Sequence, residues 1–233
     1  MSLAREARAA ISAGGEPRGT LKIGAAATLC TYRLPTILST FRKRYPDVHL
    51  IFRPTPISEL RDHIRTGELD VAFVFESLDH EGGAGDEIVG QEPILLLGAP
   101  DHPLVERETV GPADLELVDL LLCETNCCYR DLFRRSLYQV NVQPTTSLEF
   151  NSIEAVKQCI IAGLGVTVLP AIAVARELSQ GQLKDLHWSG PDLTAVTHMV
   201  WHKDRWLSPT LEAFLSLARQ MLSSVEQPGS VMR

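Results

Sequence analysis

Cys127 and Cys128 are adjacent thiols in the segment ETNCCYRD, which also holds Arg130 and two carboxylates. Residues of these types serve in a redox switch, in a metal site, as a nucleophile, or in the wall of a binding pocket. A helix start and a neighbouring arginine both lower the pKa of a thiol, and the pattern predicts both for Cys128. The elements around this segment decide among the four roles.

The cysteines and histidines form no recognisable ligand set. The five cysteines are an odd number at irregular spacing, and no CxxC pair occurs, so we expect reduced thiols rather than a disulfide framework. His198 and His202 are four apart in a predicted strand, where they lie too far apart to chelate one ion easily. We therefore predict no metal and no cofactor. The cysteines are Cys30, Cys123, Cys127, Cys128 and Cys159.

The composition excludes several classes of protein. The 233 residues are 45% hydrophobic and 22% charged, with a formal net charge of -7. A chain that bound DNA by itself would carry a basic surface, which this balance does not favour. No apolar run reaches 18 residues, so no membrane span is expected. The first residues lack the apolar region of a secretory signal, and this predicts a cytoplasmic protein.

Alternating strands and amphipathic helices predict a first α/β unit. Its strands are predicted over residues 20–27, 48–55 and 69–75, with helices over 33–46 and 57–67. The first helix has one apolar face with a spacing of three and four residues, which is typical of a helix packed on a sheet. This βαβαβ order predicts parallel strands. The apolar face holds Leu34, Ile37, Leu38 and Phe41.

A second α/β unit follows, with strands predicted over 92–100, 119–124, 145–150 and 166–170. Its helices are predicted over 128–139, 152–165 and 171–181. Strands over 182–188 and 195–202 come next, and a helix over 208–222, capped by Ser208, closes the pattern. Residues 4–13 are expected to form a short helix and residues 225–233 a disordered tail.

Polar residues stand at matching helix starts in the two units. Thr28 lies between the first strand and the first helix, and Asn151 and Ser152 take the equivalent place in the second unit. Ligands of open α/β sheets bind at the carboxyl ends of the strands. Helix starts attract anions through unpaired N–H groups. Two such starts facing one cleft would bind a carboxylate or a similar polar ligand; the alternative is that each hydroxyl only caps its helix.

Gly163-Leu164-Gly165 is interpreted as the end of a helix. A dinucleotide-binding glycine loop follows a strand and opens a helix, whereas this segment follows a predicted helix and precedes a strand. The pattern therefore predicts a C-cap rather than a phosphate loop.

Four segments follow one another in a distinctive order. They are GTLKIGAAATLCTYRLPTILSTFRKRYPDVHLIF, ELRDHIRTGELDVAFVF, PILLLGAPDHPL and NSIEAVKQCIIAGLGVTVLP. Their spaced residues are specific in combination, and these are Gly24, Pro35, Phe41, Tyr45-Pro46, Gly67-Glu68-Leu69-Asp70, His102-Pro103, Gly163-Leu164-Gly165 and Leu169-Pro170. Together they resemble the effector-binding domain of bacterial LysR-type transcriptional regulators, over about residues 5–222.

The resemblance implies an α/β fold with two Rossmann-like lobes and an interlobe cleft, similar to type 2 periplasmic binding proteins. Residues 1–19 would be the remnant of a linker helix and a hinge. Lobe I would hold residues 20–93 and 197–224, and lobe II residues 94–196. Residues 225–233 would remain as a tail.

The same resemblance implies a small polar or anionic metabolite as the effector in the cleft. Family members often carry glycine where Thr55 or Pro56 stands here, so that loop has its own shape. The expected effector-binding residues are Thr28, Leu29, Thr55, Ile57, Asn126, Cys127, Cys128, Phe150, Asn151 and Ser152.

The resemblance also implies partners and a mechanism of binding rather than catalysis. We expect a homodimer or tetramer in which the first helix of lobe I meets lobe II. DNA contacts would belong to an N-terminal winged helix-turn-helix absent from this chain, and no membrane is expected.

Three alternatives stay open. One is a thiol sensor of the same family acting through Cys128, although Leu137 stands where a resolving cysteine would be needed. The others are a solute-binding protein of a transporter and an enzyme on this fold. An enzyme would need a convergent acid–base set, which the predicted lining lacks.

Overall fold

The structure is a computed structural model that describes residues 15–75, 84–123, 128–142, 146–204 and 206–223. The chain divides into two compact units, residues 1–90 with 196–233 and residues 91–195. It passes from one unit to the other within two strands, β4 (Ala84–Gly98) and β9 (Thr194–His202). None of the helices formed by the described residues is long and apolar enough to cross a membrane. The helix expected over 4–13 and the tail over 225–233 lie outside the described residues.

The first unit, called unit 1 below, is built on three parallel strands. The strand β1 lies between β2 and β3, and both pairs are parallel, which confirms the predicted βαβαβ arrangement. The strand β9 then adds to β3 in the antiparallel direction. The elements before β4 are β1 (Gly19–Ala25), α1 (Ala27–Tyr32), α2 (Leu34–Arg44), β2 (Val48–Pro54), α3 (Ile57–Thr66) and β3 (Val71–Val74), and the closing helix is α7 (Pro209–Ser223).

The register of unit 1 brings the ends of its parallel strands to one edge. Ala25 pairs with Pro54 of β2 and with Phe73 of β3. Because parallel strands end at the same side of a sheet, the turns that follow β1 and β2 lie together there. We call this side the carboxyl edge of unit 1.

The core of unit 1 is apolar and aromatic. Phe41 of α2 packs edge-on against Phe214 of α7, with ring centroids 5.1 Å apart, and Phe73 of β3 lies 6.2 Å from the same ring. All three side chains are fully buried. Burying a phenylalanine contributes about 1.5–3 kcal/mol, so this cluster fixes α2 and α7 on the sheet. The predicted apolar face of α2 is confirmed at Leu34, Ile37 and Phe41.

Helix ends follow the sequence signals. Gly67 ends α3 with a left-handed φ of 75°, a conformation that glycine adopts at little cost. The hydroxyl of Ser208 accepts a hydrogen bond from the amide of Leu211 at 3.1 Å, which confirms the predicted cap of α7.

The second unit, called unit 2 below, is built on the sheet order β4-β7-β5-β6, with β8 beside β4. The strand β5 is parallel to β6 and β7, whereas β4 is antiparallel to β7. The carboxyl ends of β5 and β6 therefore form a second carboxyl edge. The elements are β5 (Asp119–Cys123), α4 (Cys128–Tyr138), β6 (Thr146–Phe150), α5 (Ile153–Ile161), β7 (Val166–Pro170), α6 (Ala171–Ser179) and β8 (Lys184–Asp185), with short 3-10 turns over Pro103–Glu106 and Pro112–Leu115.

The segment Gly163-Leu164-Gly165 ends α5, as predicted. The amide of Leu164 donates to the carbonyl of Cys159 and that of Gly163 to Ile160, the two bonds of a Schellman motif. Gly163 has a φ of 81°. The segment is therefore a helix end and not a phosphate loop.

Three elements differ from the sequence expectation. The helix α1 was not predicted, because six residues are too short to show a helical period. The strand β4 begins at Ala84, well before residue 92, because its polar first half has no apolar pattern. The strand expected over 182–188 is reduced to Lys184–Asp185, since His187 has a φ of 49° that ends extended structure.

Candidate functional site

Thr28 lies in the helix that begins at the carboxyl edge of unit 1. The N-cap of α1 is Ala26, which makes no side-chain cap, and Thr28 is the second helical residue. The expectation that Thr28 precedes the first helix is therefore wrong, and so is the alternative that its hydroxyl caps that helix. Its side chain is 6% exposed, and no hydrogen bond joins its hydroxyl to another described residue.

The first amides of α1 have no acceptor inside the helix. The amide of Ala26 donates to the carbonyl of Phe73 at 3.0 Å, and the first helical bond joins Cys30 to Ala26 at 3.0 Å. The amides of residues 27–29 thus belong to the unpaired start of the helix. The side chain of Leu29 is 1% exposed and part of the core. The group of Leu29 that could contact a ligand is therefore its backbone amide.

The second turn of this edge carries Thr55 and Ile57. The amide of Thr55 donates to the carbonyl of Ala25 at 3.0 Å, and its hydroxyl bonds the carbonyl of Arg53 at 3.3 Å. Ile57 is the first residue of α3 and packs, half-buried, against the core around Leu60. Both residues are held next to the end of β1, on the same edge as Thr28.

Phe150, Asn151 and Ser152 lie where β6 ends and α5 begins. Ser152 is the N-cap, and its hydroxyl accepts from the amide of Ala155 at 3.4 Å. Asn151 is exposed and Phe150 is half-buried. The predicted place of Asn151 and Ser152, between a strand and a helix of unit 2, is confirmed, and Phe150 ends the strand as expected.

Cys128 is the first residue of α4 and is half-buried. Asn126 and Cys127, two further residues expected to bind the effector, lie outside the described residues. The position of Cys128 at a helix start is as predicted.

The guanidinium of Arg130 is committed to other groups. It is 4% exposed, and its Nη atoms donate to the carbonyl of Cys123 at 3.0 Å and to the carboxylate of Glu149 at 2.5 Å. Its Nε is buried without a hydrogen-bond partner in the described part of the chain. Because the charge of Arg130 is paired with Glu149, it fixes the ends of β5 and β6 rather than standing free beside a thiol.

Two polar pairs were not predicted from the sequence. The pair Arg130–Glu149 joins residues 19 apart, and Asp86 and His198 lie 112 residues apart with Oδ1 and Nδ1 at 2.7 Å. Neither pair follows a local spacing, so no periodic signal marks it. His198 and His202 lie four apart on β9, as predicted. The Nδ1 of His202 accepts a hydrogen bond from the amide of Asp204 at 3.2 Å.

Within the described ranges, no three His, Cys, Asp or Glu side chains come together in a way that could hold a metal ion. The amides, hydroxyls and carboxamide at the two edges are suited to hydrogen bonding with a small ligand.

The family model described as the LysR substrate binding domain matches residues 14–223. The chain belongs to this family. The LysR assignment extends over both units and every described element, and it confirms the resemblance that the motifs indicated. The chain is thus the effector-binding domain of a LysR-type transcriptional regulator.

Similarity to individual proteins supports the LysR assignment. The HTH-type transcriptional regulator YwqM of Bacillus subtilis is 39% identical over 221 residues, 94% of this chain and 75% of YwqM. The regulatory domain of CcmR from Synechocystis PCC6803, solved with 2-PG, has a TM-score of 0.80 at 21% identity over 89% of this chain and 99% of that one. The effector-binding domain of QuiR, solved with shikimate, has a TM-score of 0.77 at 16% identity over 90% and 100%. These structures share the type 2 periplasmic-binding-protein-like fold, which confirms the predicted fold class.

Proposed function

We propose that this domain binds a small polar or anionic metabolite as its effector, and that binding rather than catalysis is its activity. The observation that carries the proposal is the hydroxyl of Thr28, which is buried at the carboxyl edge of unit 1 without a hydrogen bond to another described residue. A buried polar group of this kind is suited to a hydrogen bond with a small polar ligand. The proposed contacts are Thr28, Leu29, Thr55, Ile57, Asn126, Cys127, Cys128, Phe150, Asn151 and Ser152.

The related structures support this proposal. The CcmR regulatory domain was solved with 2-PG and the QuiR domain with shikimate, both small molecules. The same fold here offers hydrogen-bonding groups at the carboxyl edges of both units. An effector acts by binding one arrangement of the domain better than another, and the effect on DNA affinity cannot exceed that difference.

The proposal includes the partners of the domain. Residues 20–93 with 197–224 and residues 94–196 act as the two regulatory lobes of a homodimer or tetramer in the cytoplasm. DNA is bound by a helix-turn-helix domain of the same regulator. A groove of about 860 Å³ runs along α2 and β2 and is lined in part by Leu38, Arg42, Lys43 and His49.

Thermal unfolding in reducing buffer tests the effector proposal, with a panel of carboxylic acids, hydroxy acids and amino acids as ligands. A ligand at 100 times its Kd stabilises the domain by about 2.7 kcal/mol, which raises Tm by roughly 5–10 °C. Thr28→Val should reduce this shift by about half or more, because a tenfold weaker affinity leaves about 1.4 kcal/mol of stabilisation. Thr31→Val is the matched control, because Thr31 lies on the same helix but is exposed and bonds Ala27. A panel without any shift would contradict the proposal.

A second candidate function is thiol sensing through Cys128. The observation that favours it is the position of Cys128 at the start of α4, since helix starts lower thiol pKa values. Peroxide should then shift Tm in the wild type but not in Cys128→Ser. A shift that survives this substitution would exclude Cys128 as the sensor.

A further inference from the structure

Asp86 and His198 form a largely buried pair in unit 1. The Oδ1 of Asp86 lies 2.7 Å from Nδ1 of His198, and each side chain is 13% exposed. The histidine and the carboxylate are held together away from most of the solvent. Packing of the surrounding apolar core does not need a polar pair at this position.

The strand register puts His198 at the carboxyl edge of unit 1. Met199 pairs with Phe73, and Phe73 pairs in turn with Ala25, the last residue of β1. His198 pairs with Val74, one row further toward the carboxyl edge. His198 therefore lies in the row that continues into the turn after β1, where α1 begins.

The strand register also shows on which face of the unit 1 sheet His198 lies. Val74, directly opposite His198, and Val200, two residues further along β9, both belong to the core under α3. Cross-strand partners and residues two apart share one face. Ile57, the first residue of α3, packs against this same core. His198 thus shares its face and its edge with a residue already expected to contact the effector.

The hydrogen bond to Asp86 defines the chemistry of the imidazole. In the neutral tautomer that carries its proton on Nδ1, this N–H donates to the Asp86 carboxylate and Nε2 is left as an acceptor. No hydrogen bond joins Nε2 to another residue within the described ranges. An acceptor held in a fixed orientation at this edge is suited to a hydroxyl or amino group of a bound molecule.

We propose that His198 contacts the effector directly and that Asp86 is its positioning residue. The inference rests on the proposed effector-binding function and narrows the ligand class to carboxylic acids that carry a hydroxyl or amino group. The Nε2 atom accepts a hydrogen bond from that group, while other groups of the edge bind the carboxylate. A carboxylic acid lacking the donor leaves Nε2 without its partner.

Titration calorimetry on matched acids tests this contact. L-Malate and succinate differ by one hydroxyl, and L-glutamate and glutarate by one amino group. The wild type should bind the hydroxylated or aminated member of a pair at least about tenfold more tightly, the value of one buried hydrogen bond. His198→Asn keeps a donor for Asp86 but has no atom at the position of Nε2, so it should abolish this preference.

Three further variants separate function from folding. His198→Gln places an amide oxygen near the position of Nε2 and should restore part of the preference. Asp86→Ala should weaken it without removing it. His202→Asn, on the same strand and face, should leave it unchanged.

The outcomes distinguish the two proposals. If the wild type binds no acid of either pair nor of the larger panel, the effector function fails and this inference falls with it. If it binds acids without preferring the donor-bearing members, or if His198→Asn keeps the preference, the effector function stands and the role of His198 is overturned.

Discussion

Arg130 and Glu149 join the two segments of unit 2 that carry its proposed effector contacts. The buried guanidinium, in the first turn of α4, donates to the carboxylate near the end of β6 at 2.5 Å. Cys128 begins the same helix and Phe150 follows Glu149 directly. The ion pair therefore fixes the start of α4 relative to the turn before α5.

Removing the charge of Glu149 should loosen this connection. Glu149→Gln leaves a buried cation with a weaker partner, and we expect a loss of about 1–2 kcal/mol in the free energy of unfolding. Urea unfolding at neutral pH measures it. Glu106→Gln, at an exposed position of the same unit, is the control and should change stability by less than about 0.5 kcal/mol. Equal effects of the two variants would contradict the structural role of the pair.

His102 should make unit 2 sensitive to mild acid. Burial lowers the pKa of its imidazole from 6.5, against a smaller opposing effect of Asp101. In the neutral ring, Nδ1 accepts a hydrogen bond from the amide of Leu104 at 3.2 Å, and protonation removes that acceptor. Because the unfolded chain binds the proton more readily, the contribution is complete above pH 6.5 and is lost as the pH falls through 6.5 toward the lower native pKa.

The test compares urea unfolding of the wild type and of His102→Asn at pH 7.5 and pH 5.5. Asparagine can cap the same turn without titrating, so the variant should lose less stability between the two pH values. An equal loss in both proteins would show that His102 is not responsible.

The thiol of Cys30 should be unreactive in the folded protein. Burial raises its pKa to about 11, and its Sγ lies 3.4 Å from the carbonyl of Ala25. At pH 8 about one thiol in a thousand would be ionised. Iodoacetamide at pH 8, followed by peptide mass spectrometry, should label the half-buried Cys159 and spare Cys30 until the chain is unfolded. Labelling of both at similar rates would contradict the burial of α1.

Gly165 should tolerate no side chain, unlike Gly163. A Cβ on Gly165, with φ 147°, would lie 2.2 Å from the carbonyl oxygen of Asp119, whereas a Cβ on Gly163 would meet nothing within 4 Å. Gly163→Ala should cost about 1–2 kcal/mol for its left-handed backbone. Gly165→Ala should cost more than about 3 kcal/mol, because the backbone at Asp119 or at residue 165 itself must move to make room for the Cβ. Thermal unfolding compares them, and a smaller effect at Gly165 would contradict the close approach of β5 and β7.

The sequence predicted the elements whose apolar residues repeat regularly. Leu34, Ile37 and Phe41 mark α2 because a helix packed on a sheet must bury every third or fourth residue. The helix start at Ser152 and the helix end at Gly163 were also predicted, since capping depends on residue type at one position.

Other features depend on tertiary contacts that no local pattern records. Thr28 was expected to precede the first helix, with capping as the alternative, but α1 begins at Ala27, and the amide of its N-cap Ala26 donates to Phe73 of a neighbouring strand. The pairing of Asp86 with His198 requires β4 and β9 to lie side by side. The partner of Arg130 follows from the pairing of β5 with β6.

Calorimetric titration of one effector from the panel into the wild type and two single variants shows whether both carboxyl edges bind the effector. Thr28→Val changes the edge of unit 1 and Asn151→Ala that of unit 2, and Thr31→Val is the control. We expect one molecule bound per chain and an affinity at least about tenfold lower in each of the first two variants, as for a lost hydrogen bond of about 1.4 kcal/mol. Wild-type affinity in both variants, or no binding of any acid by the wild type, would contradict an effector site built from these residues.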